Sequence, residues 1–221
     1  MFRAALTLLL LPVLLQVQAQ KVLSEGTIVY FTTVQTGSKE PQLADMFDGV
    51  TTTIYLKSNQ SRTEMVTPLG TTVTLQNAAN GEGAVLKEFG NQKLMINMTK
   101  KDWQEMNKKY DGIVFTDDNK APLKNIAGYD CKKAVAKLKD GSSFIVYYTT
   151  DLATENKDYD YQFKNLPGFP LEYESTVGNF KVRYTASKIS FDPVPAQKFS
   201  LPKTGFRQLT FEESKNLQKS N

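Results

Sequence analysis

The sequence predicts a mostly β chain built on a strongly curved antiparallel sheet, an open or half barrel, carrying two or three short helices. Three observations predict it. Apolar residues alternate at a period of two along most of the chain, as they do on strands. Turn signals such as Ser58-Asn59, Pro68-Leu69-Gly70, Asn80-Gly81 and Gly90-Asn91 recur roughly every eight to twelve residues. The implied load of roughly eleven or twelve strands is more than a flat sheet carries comfortably, so the sheet must curl.

The first element is not part of the fold. Met1-Phe2-Arg3 places a positive charge ahead of an apolar run from Ala4 to Leu15, and Val17-Gln18-Ala19 supplies the small and branched residues of a cleavage site. The run is about a dozen residues, against the roughly 20 that span a bilayer, so it reads as a signal peptide over residues 1–19. Cleavage after Ala19 leaves Gln20 at the start of a single β domain over residues 20–221, exported to the periplasm or beyond. No cysteine lies near the cleavage site, and no later stretch is long and apolar enough to cross a membrane. The mature chain is therefore expected to be neither lipid-anchored there nor an integral membrane protein.

The domain opens with Thr27 to Val34, rich in β-branched and aromatic residues. A short crossing around Glu40 to Phe47 follows. Strands are then expected at Thr51 to Lys57, Ser61 to Thr67, Thr71 to Gln76, Gly83 to Phe89 and Lys93 to Met98. The period changes at Thr99-Lys100-Lys101-Asp102, a capping-box pattern, after which Trp103, Met106 and Tyr110 recur at helical spacing. A helix is expected from Lys100 to Lys109. Strands resume at Ile113 to Thr116, Tyr129 to Leu138, Ser143 to Thr149, Tyr159 to Phe163, Leu171 to Thr176, Phe180 to Phe191 and Lys198 to Leu201. Asp140-Gly141 and Val177-Gly178-Asn179 mark hairpins, and Thr210-Phe211-Glu212-Glu213 caps a short C-terminal helix.

Composition removes several function classes. The formal net charge of +4 falls to +3 when Arg3 leaves, and the basic residues are scattered among acids, so no nucleic-acid footprint is present. The chain has no histidine, which removes Ser-His-Asp and Cys-His arrangements and the common zinc sets. Asp117-Asp118 and the Asp158/Asp160 pair lack the spacing of a calcium loop or a catalytic setting and read as solvated turn and edge charges. Cys131 is the one cysteine; no internal disulfide can form, and the thiol reads as a small buried hydrophobe on a strand. The expectation is a protein that is not an enzyme and carries no cofactor and no metal.

What remains is apolar surface. Phe144, Val146 and Tyr148 share one strand face, and Phe169, Leu171 and Tyr173, then Phe180, Val182 and Tyr184, repeat the pattern. These residues are either the core of a filled barrel or the lining of a lipid-sized pocket.

Ile126-Ala127-Gly128-Tyr129-Asp130-Cys131-Lys132-Lys133-Ala134, then Tyr147-Tyr148-Thr149, then Asn165-Leu166-Pro167-Gly168-Phe169-Pro170-Leu171-Glu172 follow one another in an order that resembles exported proteins of Bacteroidota. The resemblance is to domain-of-unknown-function family 4412 and its GLPGLI-type relatives, from which the chain departs at Asn165, Phe169 and Pro170. It implies a fold similar to LolA-type periplasmic lipoprotein carriers, with helices against the concave side of the sheet and acyl chains in an apolar cavity. The expected ligand-binding set is Trp103, Met106, Phe144, Val146, Tyr148, Leu171, Tyr173, Phe180 and Tyr184. The expected ligand is an acyl chain or other apolar small molecule; the alternative is an envelope interaction module that meets another protein. The Leu166-Pro167-Gly168 turn is expected to be type II between two strands, with Gly168 at positive φ.

Overall fold

A computed structural model describes residues 20–35, 48–177 and 180–219. The expected signal peptide, the expected crossing around Glu40 to Phe47 and the expected turn at Gly178-Asn179 lie outside the described residues.

The β-branched opening forms β1 (Lys21–Leu23) and β2 (Glu25–Gln35). A meander follows: β3 (Thr51–Lys57), β4 (Gln60–Thr67), β5 (Gly70–Asn77), β6 (Glu82–Phe89) and β7 (Gln92–Met98). Helix α1 (Lys100–Met106) leads through a 3-10 turn over Lys108–Tyr110 to β8 (Val114–Asp117), β9 (Lys124–Ile126), β10 (Tyr129–Lys137) and β11 (Ser143–Thr149). After β12 (Leu152–Thr154) come 3-10 turns over Lys157–Tyr159 and Tyr161–Phe163, then β13 (Phe169–Val177) and β14 (Phe180–Ser190). A last 3-10 turn (Ala196–Phe199) precedes β15 (Arg207–Thr210) and α2 (Phe211–Lys219).

Thirteen strands form one sheet, whose path runs β15-β7-β6-β5-β4-β3-β2-β14-β13-β11-β10-β8, with β9 paired to β10. The path does not return to its start, so the sheet is no closed barrel. It is antiparallel except where β15 runs parallel to β7, and β1 pairs separately with β12, also parallel. The two halves of the chain meet at the β2–β14 seam, where Tyr30 faces Ala186 and Ile28 faces Ile189.

Register defines the two faces. Tyr30, Thr52, Met65, Thr72, Lys87, Leu94 and Arg207 lie in one row across seven strands, and Ile28, Ile54, Thr63, Thr74, Val85, Ile96 and Leu209 form the next row on the same face. The opposite face of the meander carries Val73, Leu75, Ala84, Leu86 and Met95, with Phe206 packed on them. Residues 191–206 cross that face: the Val194 carbonyl accepts from Lys57 Nζ at 3.0 Å, and the Lys198 carbonyl accepts from Arg62 Nη1 at 3.1 Å. This crossing carries the chain from the middle of the sheet to its β7 edge.

Both capping boxes form. Thr99 and Asp102 bond reciprocally at the start of α1, and Thr210 and Glu213 do the same for α2. The first helix is shorter than its periodicity predicts, because Asn107 caps it through its side-chain amide to the Trp103 carbonyl. Asp140-Gly141 makes the β10–β11 hairpin with Gly141 at φ +85.

Three expectations are corrected. Tyr159 to Phe163 is not a strand: the Asp160 carboxylate accepts from Gln162 N and caps a 3-10 turn instead. Lys198 to Leu201 is not a strand either, since Pro195 opens a 3-10 turn whose carbonyls serve the Arg62 and Lys198 contacts. Gly168 is not at positive φ, and the turn joins a 3-10 segment to β13 rather than two strands. Glycine is required there for another reason: a Cβ would overlap the Thr149 carbonyl oxygen and sit 2.7 Å from the Tyr148 ring.

Candidate functional site

The expected ligand-binding residues do not share one surface. Val146, Tyr148, Leu171 and Tyr173 are buried in the main core with Ile28, Tyr30, Ile54, Cys131, Phe163 and Phe169, and Phe144 and Tyr184 are packed against it partly buried. Trp103 is buried in a second cluster with Val85, Ile96, Met98 and Leu209. Met106 is 44% exposed. The Phe180 side chain lies outside the described residues.

The chain's own aromatics occupy the space over β11, β13 and β14. Residues 157–163 lie across the sheet there. The Phe163 ring meets Tyr173 edge-on at 4.8 Å and Phe144 at 6.5 Å, Tyr159 stacks on Phe169 at 5.8 Å, and Tyr173 stacks on Tyr184 at 4.9 Å. Tyr161 reaches the other way, onto the Val85, Ile96 and Trp103 cluster. Trp103 has room because Gly83 lies beneath its ring; a Cβ at Gly83 would come within 3.0 Å of the indole.

Polar groups are caught within this packing. Asp160 is half-buried, and burial pushes its carboxyl up to about 6, against the lowering effect of Gln162 Nε2 at 3.0 Å and Gln162 N at 3.1 Å. Burial, with the Asp160 charge adding to it, pushes the Tyr30, Tyr159 and Tyr173 phenols well up. Tyr30 Oη donates to the Pro170 carbonyl at 2.8 Å, whereas the Tyr159 hydroxyl and both amide atoms of Asn156 have no hydrogen-bond partner among the described residues. Asp158, by contrast, meets Lys164 at 2.6 Å near the surface. The sequence reading holds for Asp158 and misses Asp160. Alternation alone carries no sign that the second carboxylate is desolvated.

Elsewhere the carboxylates are structural. Tyr148 Oη donates to Asp117 at 2.8 Å, and its phenol is pushed up to about 12 by burial and by that carboxylate. Glu172, its side chain 5% exposed, accepts from Lys124 Nζ at 2.7 Å and from Thr185 Oγ1 at 2.9 Å. Cys131 is fully buried on β10, and burial pushes its thiol up to about 12, which keeps it in the unreactive protonated form.

A large recess lined by described residues lies at the other end of the Tyr30 face. It encloses about 670 Å³ between β6, β7, β15 and α2. Leu94, Ile96, Leu209 and Leu217 give it an apolar floor, while Lys87, Lys93 and Arg207 stand at its rim. None of these residues was in the expected set, because the pocket forms only when β15 docks beside β7. No helix among the described residues is long and apolar enough to cross a membrane.

No family model and no curated protein matches the chain. Among solved structures, PNGF-II in its P21 crystal form is similar at a TM-score of 0.50 and 15% identity, over 88% of this chain and 33% of that one. This chain thus spans about a third of the length of PNGF-II, and the likeness is one of fold alone. An uncharacterized conserved protein from Thermus thermophilus superposes at a TM-score of 0.49 and 11% identity, over 85% of this chain and 91% of that one.

Proposed function

We propose that this chain is an exported periplasmic binding or carrier-like protein with no catalytic role, sheltering an apolar ligand such as an acyl chain, lipid or lipoprotein in the concavity of a curved, LolA-like sheet. The observation that carries the reading is the recess of about 670 Å³ with its floor of Leu94, Ile96, Leu209 and Leu217. Its size falls within the roughly 300–1,000 Å³ of small-molecule sites, and its lining joins that apolar floor to a polar and basic wall of Lys87, Asn91, Gln92, Lys93, Arg207 and Ser214, as an amphiphile would require. The ligand then lies at the β7–β15 end of the face, because Phe163, Tyr159 and Tyr173 already fill the β11–β14 end.

Native mass spectrometry of the mature protein from a bacterial periplasm, with organic extraction, tests this. A co-purifying lipid mass is expected. A protein that arrives clean and stays clean after incubation with lipid refutes it.

That second outcome would favour an envelope interaction module. The observation behind this reading is on the opposite face, where Phe31 and Val66 are 49% and 58% exposed and flank Thr51 in register.

A further inference from the structure

The rim of the recess is charged in a way its floor does not require. Lys87, Leu94 and Arg207 occupy one register row on three adjacent strands, with both cations on the face that also bears the Val85, Ile96 and Leu209 row. Two strand spacings separate the cations, roughly 10 Å between backbones, which two long side chains can close around a single anion. Neither makes an ion pair or side-chain hydrogen bond with a described residue. Lys93, the third cation, is already engaged by Glu88 at 2.6 Å. Glu213 is near enough to feel Arg207, yet its carboxylate accepts from the Thr210 N–H and hydroxyl at 2.7 and 2.8 Å in capping α2. None of the described residues that line the recess is acidic.

Charge and apolar surface are therefore stacked in order. The row nearest the rim is Lys87–Leu94–Arg207, the next is Val85–Ile96–Leu209, and beyond it Met98 and Trp103 complete the apolar cluster. We infer that the recess takes a single-chain anionic amphiphile, its tail over Ile96, Leu209 and Leu217 and its head group held between Lys87 and Arg207. This deepens the carrier reading and rests on it. The two cations are the specificity-determining residues: they distinguish a fatty-acid carboxylate from an uncharged chain of equal length, since a charge-assisted bond is about twice as strong as a neutral one.

The test is isothermal titration of the mature chain with dodecanoate below its micelle concentration and with dodecanol below its solubility limit, on the wild type and on the Lys87→Gln/Arg207→Gln double variant. Wild type should prefer dodecanoate by about tenfold or more, with the preference shrinking as salt rises. The double variant should lose that preference, keep its affinity for dodecanol, and unfold close to the wild-type temperature, because neither cation makes an ion pair or side-chain hydrogen bond with a described residue and the Glu213 carboxylate keeps its Thr210 bonds. Equal binding of the two ligands, or a preference that survives in the double variant, overturns the inference and leaves the carrier reading standing. Binding of neither ligand overturns both.

Discussion

Replacing Asp160 with asparagine should stabilise the protein above neutral pH and not below it. Burial raises the folded carboxyl from its ordinary 3.8 to about 6. The folded state therefore holds its proton more tightly than the unfolded chain does, and stability that is complete below about pH 4 is lost as pH rises through about 6. A shift of about two units at 1.36 kcal/mol each amounts to about 3 kcal/mol of destabilisation once the carboxylate is ionised. The asparagine would carry no charge and would keep the cap on Gln162 N, but its single oxygen cannot also accept from Gln162 Nε2, a loss of about 1 kcal/mol. The variant should be more stable than wild type by about 2 kcal/mol near pH 8, a rise of about 4–8 °C in midpoint for a chain of this length. Near pH 4 the difference should vanish or change sign. Thermal unfolding of both proteins across that range by circular dichroism measures it. An Asp160→Asn protein less stable than wild type at pH 8, or a difference independent of pH, would refute the reasoning that Asp160 is held in a desolvated setting.

Three further substitutions follow from the geometry. Gly168→Val should destabilise by several kcal/mol, seen in urea midpoints, because its side chain has to displace the Thr149 backbone; a wild-type midpoint would count against that close approach. Ala127, at φ +51 in the two-residue β9–β10 hairpin ahead of Gly128 at φ +86, occupies a position that glycine or asparagine prefers, so Ala127→Gly should raise stability by about 0.5–1 kcal/mol in the same titration, and a loss would contradict the strain. Lys124→Ala should cost more than Glu172→Gln, about 3 against about 1 kcal/mol, because the first leaves a carboxylate that is 5% exposed without its main partner and the second leaves a lysine that is 43% exposed to water; equal costs in urea would contradict the burial asymmetry.

The parts of the fold that were legible in the sequence are those fixed by neighbours in the chain. Strands β3 and β11 fall where alternation puts them, and Thr99 and Thr210 start helices where their capping boxes predict. Tyr159 to Phe163 defeated the same reasoning because an aromatic at every second position reads as a strand, while Tyr159 and Phe163 pack on the β13 side of the sheet and Tyr161 turns onto the Trp103 cluster. The short strands β1, β9, β12 and β15 carry too few residues to show a period, and β1, β12 and β15 owe their state to parallel partners elsewhere in the chain. The recess was illegible for that reason. Lys87 and Arg207 are brought together by the β7–β15 pairing, and nothing local to either residue announces it. Trp103 was found as a helix residue that would meet the sheet, but Val146 and Tyr148 have the composition of a lining and the burial of a core, with Phe144 packed against them. Composition cannot separate those two roles when the covering segment is itself aromatic.

The parallel docking of β15 on β7 bears on how the molecule assembles. Strands β3 to β7 can zip together as successive hairpins of neighbouring residues, leaving the outer backbone groups of β7 unpaired until residues 207–210 reach them from the far side of the sheet. Through that interval the molecule offers a ready template along Leu94 to Asn97 to any other extended chain. Chains shortened ahead of Arg207 should therefore pair edge to edge and associate, and the segment over residues 191–206 acts as the tether that keeps the closing strand at high local concentration.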